Sequence, residues 1–132
     1  MPPQTSCKKF QRTVSEYLVR HKSILDVMSK FQEASAHVNR AMAKAVTNCG
    51  CLKIKAEKQP VPPNVNFSEV SKYVKTHIEG NLCPNCREVV EAELGNAMFY
   101  IAAFCTLLDL DLEKILSKEN DRISTLGVYS LT

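Results

Sequence analysis

Apolar positions recur with a helical period over most of the chain. From Ser6 to about His21 they fall at Phe10, Val14, Tyr17 and Leu18, a spacing that lines one side of a helix. Ser23, followed by Asp26, offers a cap for a second helix over Ile24 to about Thr47. Its apolar stripe is Val27, Phe31, Ala34, Val38, Ala41, Met42 and Ala45, and Asn48 and Gly50 stop it. Leu52, Ile54 and Ala56 alternate with charged neighbours, a run too short for more than an extended strap. Residues 57–66 read as a proline-rich connector, because Pro60, Pro62 and Pro63 forbid a helix. Ser68 is expected to cap a short helix over Glu69 to about Glu79, closed by Gly80. The longest helix is predicted from about Pro84 to Leu108. After a turn at Asp109 and Leu110, Asp111 caps a last helix, Leu112 to about Thr125. Gly127 ends it, and an apolar tail follows at Val128, Tyr129 and Leu131.

Four or five helices, almost no strand, short connections and no internal repeat predict an all-α, antiparallel four- to five-helix bundle. At 132 residues the chain is expected to form one domain, with residues 1–5 a loose tail. Met1 to Arg20 holds no apolar run of signal-peptide type, and Met98 to Leu108 falls short of a bilayer span. A cytoplasmic protein with no membrane segment is the expectation. In that compartment six cysteines argue for metal or free thiols before disulfides. Charge is uneven: residues 1–66 hold 11 Lys or Arg against 4 Asp or Glu, and residues 67–132 hold 6 against 10. The aromatics do not interleave with the basic residues as in a nucleic-acid module, so nucleic acid is not the expected partner. Two solvated faces, or two halves that attract, account for the asymmetry.

Cys83-Pro84-Asn85-Cys86 opens the longest helix, and Cys49-Gly50-Cys51 closes the second one. Zinc takes four soft or borderline ligands in a tetrahedron, and two closely spaced cysteine pairs supply them. The free amides of a helix's first turn and its dipole favour ionised thiols at Cys83 and Cys86. A structural zinc held by Cys49, Cys51, Cys83 and Cys86 is the leading reading, while His77, which could replace one cysteine, reads first as a surface histidine near a helix end. A redox Cys-x-x-Cys and four unlinked thiols are the alternatives. The redox motif ordinarily sits in a βαβ setting that this chain lacks. Cys7 has no local partner, and Cys105 reads as a core thiol.

On a wheel of roughly 100° per residue, Val90, Leu94, Ala97, Met98, Ile101, Cys105 and Leu108 of the longest helix form an apolar sector. Val89, Tyr100, Phe104 and Leu107 widen it. Glu93 falls inside the widened sector and Asn96 at its edge. A carboxylate among apolar neighbours needs a metal, a basic partner or a proton. The facing helix carries a polar stripe of Lys30, Glu33, His37, Arg40 and Lys44. Glu93 could therefore pair with Arg40 or Lys44, or join Glu33 on a divalent metal, with His37, Arg40 and Lys44 on phosphates.

Glu93-Leu94-Gly95-Asn96-Ala97-Met98-Phe99-Tyr100-Ile101 resembles the second half of the MazG-type nucleoside-triphosphate pyrophosphohydrolase motif, a Glu-x-x-Asp opening an apolar run on a long helix. Leu110 to Leu116 resembles that family's next turn and helix, and Lys118, Asn120 and Arg122 its helix end. The likeness is clear over residues 85–125 and faint over 24–47. It implies an all-α bundle assembling as dimers or tetramers. It also implies Mg²⁺-dependent cleavage of a nucleoside triphosphate to monophosphate and pyrophosphate, with Glu33, Glu93 and Asn96 as metal ligands and Lys118, Asn120 and Arg122 toward substrate. The family's aspartate falls on Asn96, and Gln32 and Ala36 stand where further acids are expected. The weakened site would bind nucleotide or hydrolyse it slowly. The rival is a non-catalytic, zinc-stabilised helical scaffold.

Overall fold

The computed structural model describes residues 5–19 and 22–127. The apolar tail from Val128 onward, the expected helix end at His21 and most of the expected N-terminal tail lie outside them. Five helices and one two-stranded sheet make up the described chain.

Helix α1 (Cys7–Tyr17) starts where the Ser6 hydroxyl accepts the Lys9 amide at 3.1 Å. Helix α2 (Ile24–Lys44) is anchored at Ser23, whose carbonyl accepts from the Asp26 and Val27 amides and whose hydroxyl accepts from Leu25. The predicted continuation to Thr47 is helical but widens into a π turn, Ala45–Cys49. Gly50, with φ 80, ends it and returns its amide to the Ala45 carbonyl at 2.9 Å.

The stretch after the prolines departs from expectation. Helix α3 is one turn, Phe67–Val70, and it begins at Asn66 rather than Ser68. The predicted continuation to Glu79 is instead a turn and a strand, β2 (Ile78–Gly80). It pairs antiparallel with β1 (Leu52–Ile54), matching Leu52 to Gly80 and Ile54 to Ile78. Gln59 explains the break: its carboxamide donates to the Lys75 carbonyl at 2.9 Å and accepts the Lys75 amide at 2.7 Å. The backbone at Lys75 is thus bonded across the loop instead of along a helix. The run Tyr73, Val74, Thr76, Ile78 is aromatic and β-branched and favours the extended form.

Helix α4 (Pro84–Leu107) places Pro84 at its first position, where a missing amide hydrogen costs nothing. Helix α5 (Leu112–Leu126) is capped as predicted, with Asp111 Oδ1 accepting the Glu113 amide at 2.9 Å.

The chain packs as two compact units. One comprises the described residues up to His37 and from Glu93 onward. Its core is Val14, Leu18, Val27, Ala34, Tyr100, Ala102, Ala103, Cys105 and Leu112. Phe31 meets Phe104 edge to face at 5.7 Å. Gln11 binds both ends of the α4–α5 turn, donating to the Leu110 carbonyl and accepting the Leu112 amide. The predicted apolar sector of α4 is only partly buried: Leu94, Met98, Ile101 and Leu108 remain exposed, while Ala102 and Ala103, outside that sector, are fully buried. The other unit, residues 38–92, contains the π turn, the sheet and the first part of α4. No helix among the described residues is long and apolar enough to cross a membrane.

Candidate metal centre

Three local structures of the second unit each deliver cysteine. The π turn ends on Cys49, the chain reverses at Gly50, and Cys51 enters β1. Across the sheet, β2 leads through Asn81 and Leu82 to Cys83, and Cys86 follows in the first turn of α4. The antiparallel register brings the start of one strand beside the end of the other, which sets Cys51 near Cys83. A π turn adds a residue to the helical circuit, and so turns the end of α2 toward the same place.

All four sulfurs lie within 4.8 Å of one another. Cys49 Sγ is 3.8 Å from Cys83 Sγ. A zinc ion with bonds of about 2.3 Å to four sulfurs in a tetrahedron has S···S edges of about 3.8 Å. The cluster can hold one metal ion with the sulfurs close to where they stand. All six cysteines are free. Cys49 is exposed and the other three cysteines of the cluster are half-buried.

The thiols are not equivalent. The Cys86 backbone N–H donates to Cys83 Sγ at 3.4 Å. That bond, with the Cys86 thiol, holds Cys83 down at about 7. Cys86 is pushed up to about 12 by Cys83 and by burial. Cys49 is drawn down by the Cys51 backbone but raised on balance by the Cys83 and Cys51 thiols and burial. Cys83 ionises readily, and Cys86 and Cys49 are held back by the thiols around them. A divalent cation favours the ionised form of each thiol it binds.

His77 does not join the cluster. It is half-buried at φ 61, and its Nε2 is buried without a hydrogen-bond partner among the described residues. Cys105 is a buried core thiol as expected, and burial pushes its pKa up.

A second group lies in the other unit. Glu33 and His37, one turn apart on α2, meet Glu93 of α4: His37 Nδ1 is 3.6 Å from Glu93 Oε2, and Nε2 is 3.9 Å from Glu33 Oε1. Lys30 also reaches Glu33, at 3.3 Å. The Glu93 side chain keeps 31% of its exposure, so it points into this group and not into bulk water. It faces His37; of the two arrangements the sequence offered, this is nearer the one that groups Glu93 with Glu33 and His37. Arg40 and Lys44 are exposed and belong to the second unit. Asn96 is exposed one turn beyond Glu93.

The α5 residues are elsewhere. Lys118 lines a polar groove with Lys8, Asp111, Glu113, Lys114 and Asp121, which none of Glu33, His37 and Glu93 borders. Asn120 is exposed, and Arg122 is paired with Glu119 on its own helix. Among the described residues no second trio of His, Cys, Asp or Glu donors converges closely enough for one ion. Sequence reasoning missed the strand pairing that carries Cys51 to Cys83, since three-residue strands leave almost no periodic trace. The chain matches no family model, and no curated protein and no solved structure is similar to it.

Proposed function

We propose that Cys49, Cys51, Cys83 and Cys86 hold one structural zinc ion, and that the protein is a MazG-like binder of nucleoside triphosphates that hydrolyses them slowly. The meeting of Glu33, His37 and Glu93 from two helices supports the nucleotide reading, because Glu93 opens the segment carrying the family resemblance. Magnesium, when bound, would neutralise charge on the triphosphate. Glu33 and Glu93 would hold it, and the substrate's phosphates would supply further oxygens. His37 stands between the two carboxylates, and the neutral Asn96 would offer a carbonyl oxygen in place of a charge. With that charge missing, activation of water is poor and turnover is slow. The exposed Leu94, Met98 and Ile101 of α4 favour self-association as dimers or tetramers.

A non-catalytic scaffold is the second reading. It is favoured by the spacing of Glu33, His37 and Glu93, which do not converge closely enough for one ion. One assay separates the two: pyrophosphate release from a nucleotide panel with Mg²⁺ or Mn²⁺, comparing wild type with Glu93→Gln. The nucleotide reading expects metal-dependent release, or a nucleotide-induced rise in Tm, that the variant loses. Equal inactivity with no Tm response would leave the scaffold. The zinc reading is checked separately by metal analysis of the purified chain, with one zinc per chain expected.

A further inference from the structure

We propose that the cysteine centre is also a switch for hydroperoxides, which oxidise Cys49 and Cys83 to a disulfide and so release the metal. This rests on the zinc reading and adds regulation to it.

Access is the first support. A closed zinc–thiolate site protects its sulfurs, whereas Cys49 is exposed and shares an open cavity of about 270 Å³ with Cys86, Lys44, Asn48 and Asn85. A hydroperoxide is far smaller than that space. Proximity is the second. Cys49 and Cys83 stand 3.8 Å apart, sulfur to sulfur, and a disulfide needs about 2.05 Å. Gly50 has no heavy atom within 4 Å of where a Cβ would lie, so the turn that follows Cys49 is open. Exposure singles out the pair's first member: Cys51 and Cys86 also lie within 4.8 Å, but both are half-buried, as is Cys83, and Cys49 alone of the four is exposed.

The chemistry balances with a hydroperoxide as the oxidant. Cys49, which the zinc reading requires to be a thiolate, attacks the terminal oxygen. An S–O bond forms, the O–O bond breaks, and the departing hydroxide or alkoxide takes a proton from water, leaving a sulfenic acid. The Cys83 thiolate then attacks the Cys49 sulfur. The S–S bond forms, the S–O bond breaks, and hydroxide leaves as water after taking a second proton. The two sulfurs lose two electrons and the hydroperoxide gains them. Cys51 and Cys86 alone hold zinc weakly; they take up protons as it leaves. Reduction by a dithiol restores all four ligands.

The test uses the full chain, with its zinc content measured first. Hydrogen peroxide is added, and zinc release is followed with a chromogenic chelator. Remaining thiols are then trapped and the disulfide mapped by mass spectrometry. The expected result is one zinc freed per peroxide consumed, a Cys49–Cys83 linkage, and full rebinding after dithiothreitol. Retained zinc, linkage of another cysteine pair, or loss that reduction does not reverse would overturn the switch. Cys49→Ser, with helicity checked by circular dichroism, should lose disulfide-coupled release. Should that variant not fold, the wild-type map decides. A chain purified without zinc defeats the zinc reading itself, whereas a zinc-loaded chain inert to peroxide defeats the switch alone.

Discussion

Gly80 has φ 90, and a Cβ added there would lie 2.5 Å from the Cys51 carbonyl oxygen. Both facts forbid a side chain, and the second involves backbone that cannot swing away. The sequence presents this glycine as a helix stop. Its actual task is to let β2 approach β1 at Cys51, one of the four clustered cysteines. Gly80→Ala is expected to cost about 2 kcal/mol or more. It should weaken metal binding as well, because the strand pairing positions Cys51. Melting curves with and without added zinc measure both effects, and an unchanged Tm would contradict this role. Cys105 makes a milder case. It is 3% exposed, and burial raises its pKa. Both properties suppress the thiolate, so iodoacetamide at neutral pH should leave it unlabelled in the native protein and label it fully in denaturant. The residues with chemistry were legible from type and spacing: the four cysteines, and the one-turn interval between Glu33 and His37. Which of the two arrangements Glu93 takes was not, because a helical wheel gives a direction from the axis and not the depth at which two helices meet.

Capping behaves as the sequence suggests at some ends and not at others. Ser6 and Asp111 cap through their side chains, whereas α3 starts at Asn66 without any side-chain bond. Where the cap is local, prediction succeeds. Asp111 Oδ1 accepts from both Glu113 and Lys114. Asp111→Ala is therefore expected to cost about 1 kcal/mol, with faster amide exchange confined to the first turn of α5. Uniform acceleration along the helix would argue that its stability comes from elsewhere. The failure over residues 71–80 has the opposite origin. Two bonds from the Gln59 carboxamide, sixteen residues away, decide the backbone at Lys75. No local pattern encodes them. Ion pairs between Lys55 and Glu79 and between Lys75 and Glu57 span the same pair of segments. They are exposed and add little energy, but they agree with the register.

The two units are unequal in what they bury. The first has a core cluster of nine buried residues ringed by four phenylalanines. Within residues 38–92 the buried apolar residues are Ala41, Ala45 and Leu52. A unit with so little apolar mass inside gains little from the hydrophobic effect to set against the entropy of ordering its chain. Small folds in that position depend on a staple, and structural zinc supplies apparent binding energies of about 10–16 kcal/mol in zinc-finger peptides at pH 7. The four cysteines sit where a staple would act, joining the π turn, the first strand and the first turn of α4. Metal removal should therefore fall unevenly on the molecule. Hydrogen exchange with and without a strong chelator is expected to show lost protection over residues 45–54 and 78–86. Amides around Val27 and Ala103, held by the first core, should keep theirs. Equal loss everywhere would mean that the units fold as one. No loss anywhere would mean that the sulfur cluster adds nothing to stability, and the small core of residues 38–92 would then have to suffice.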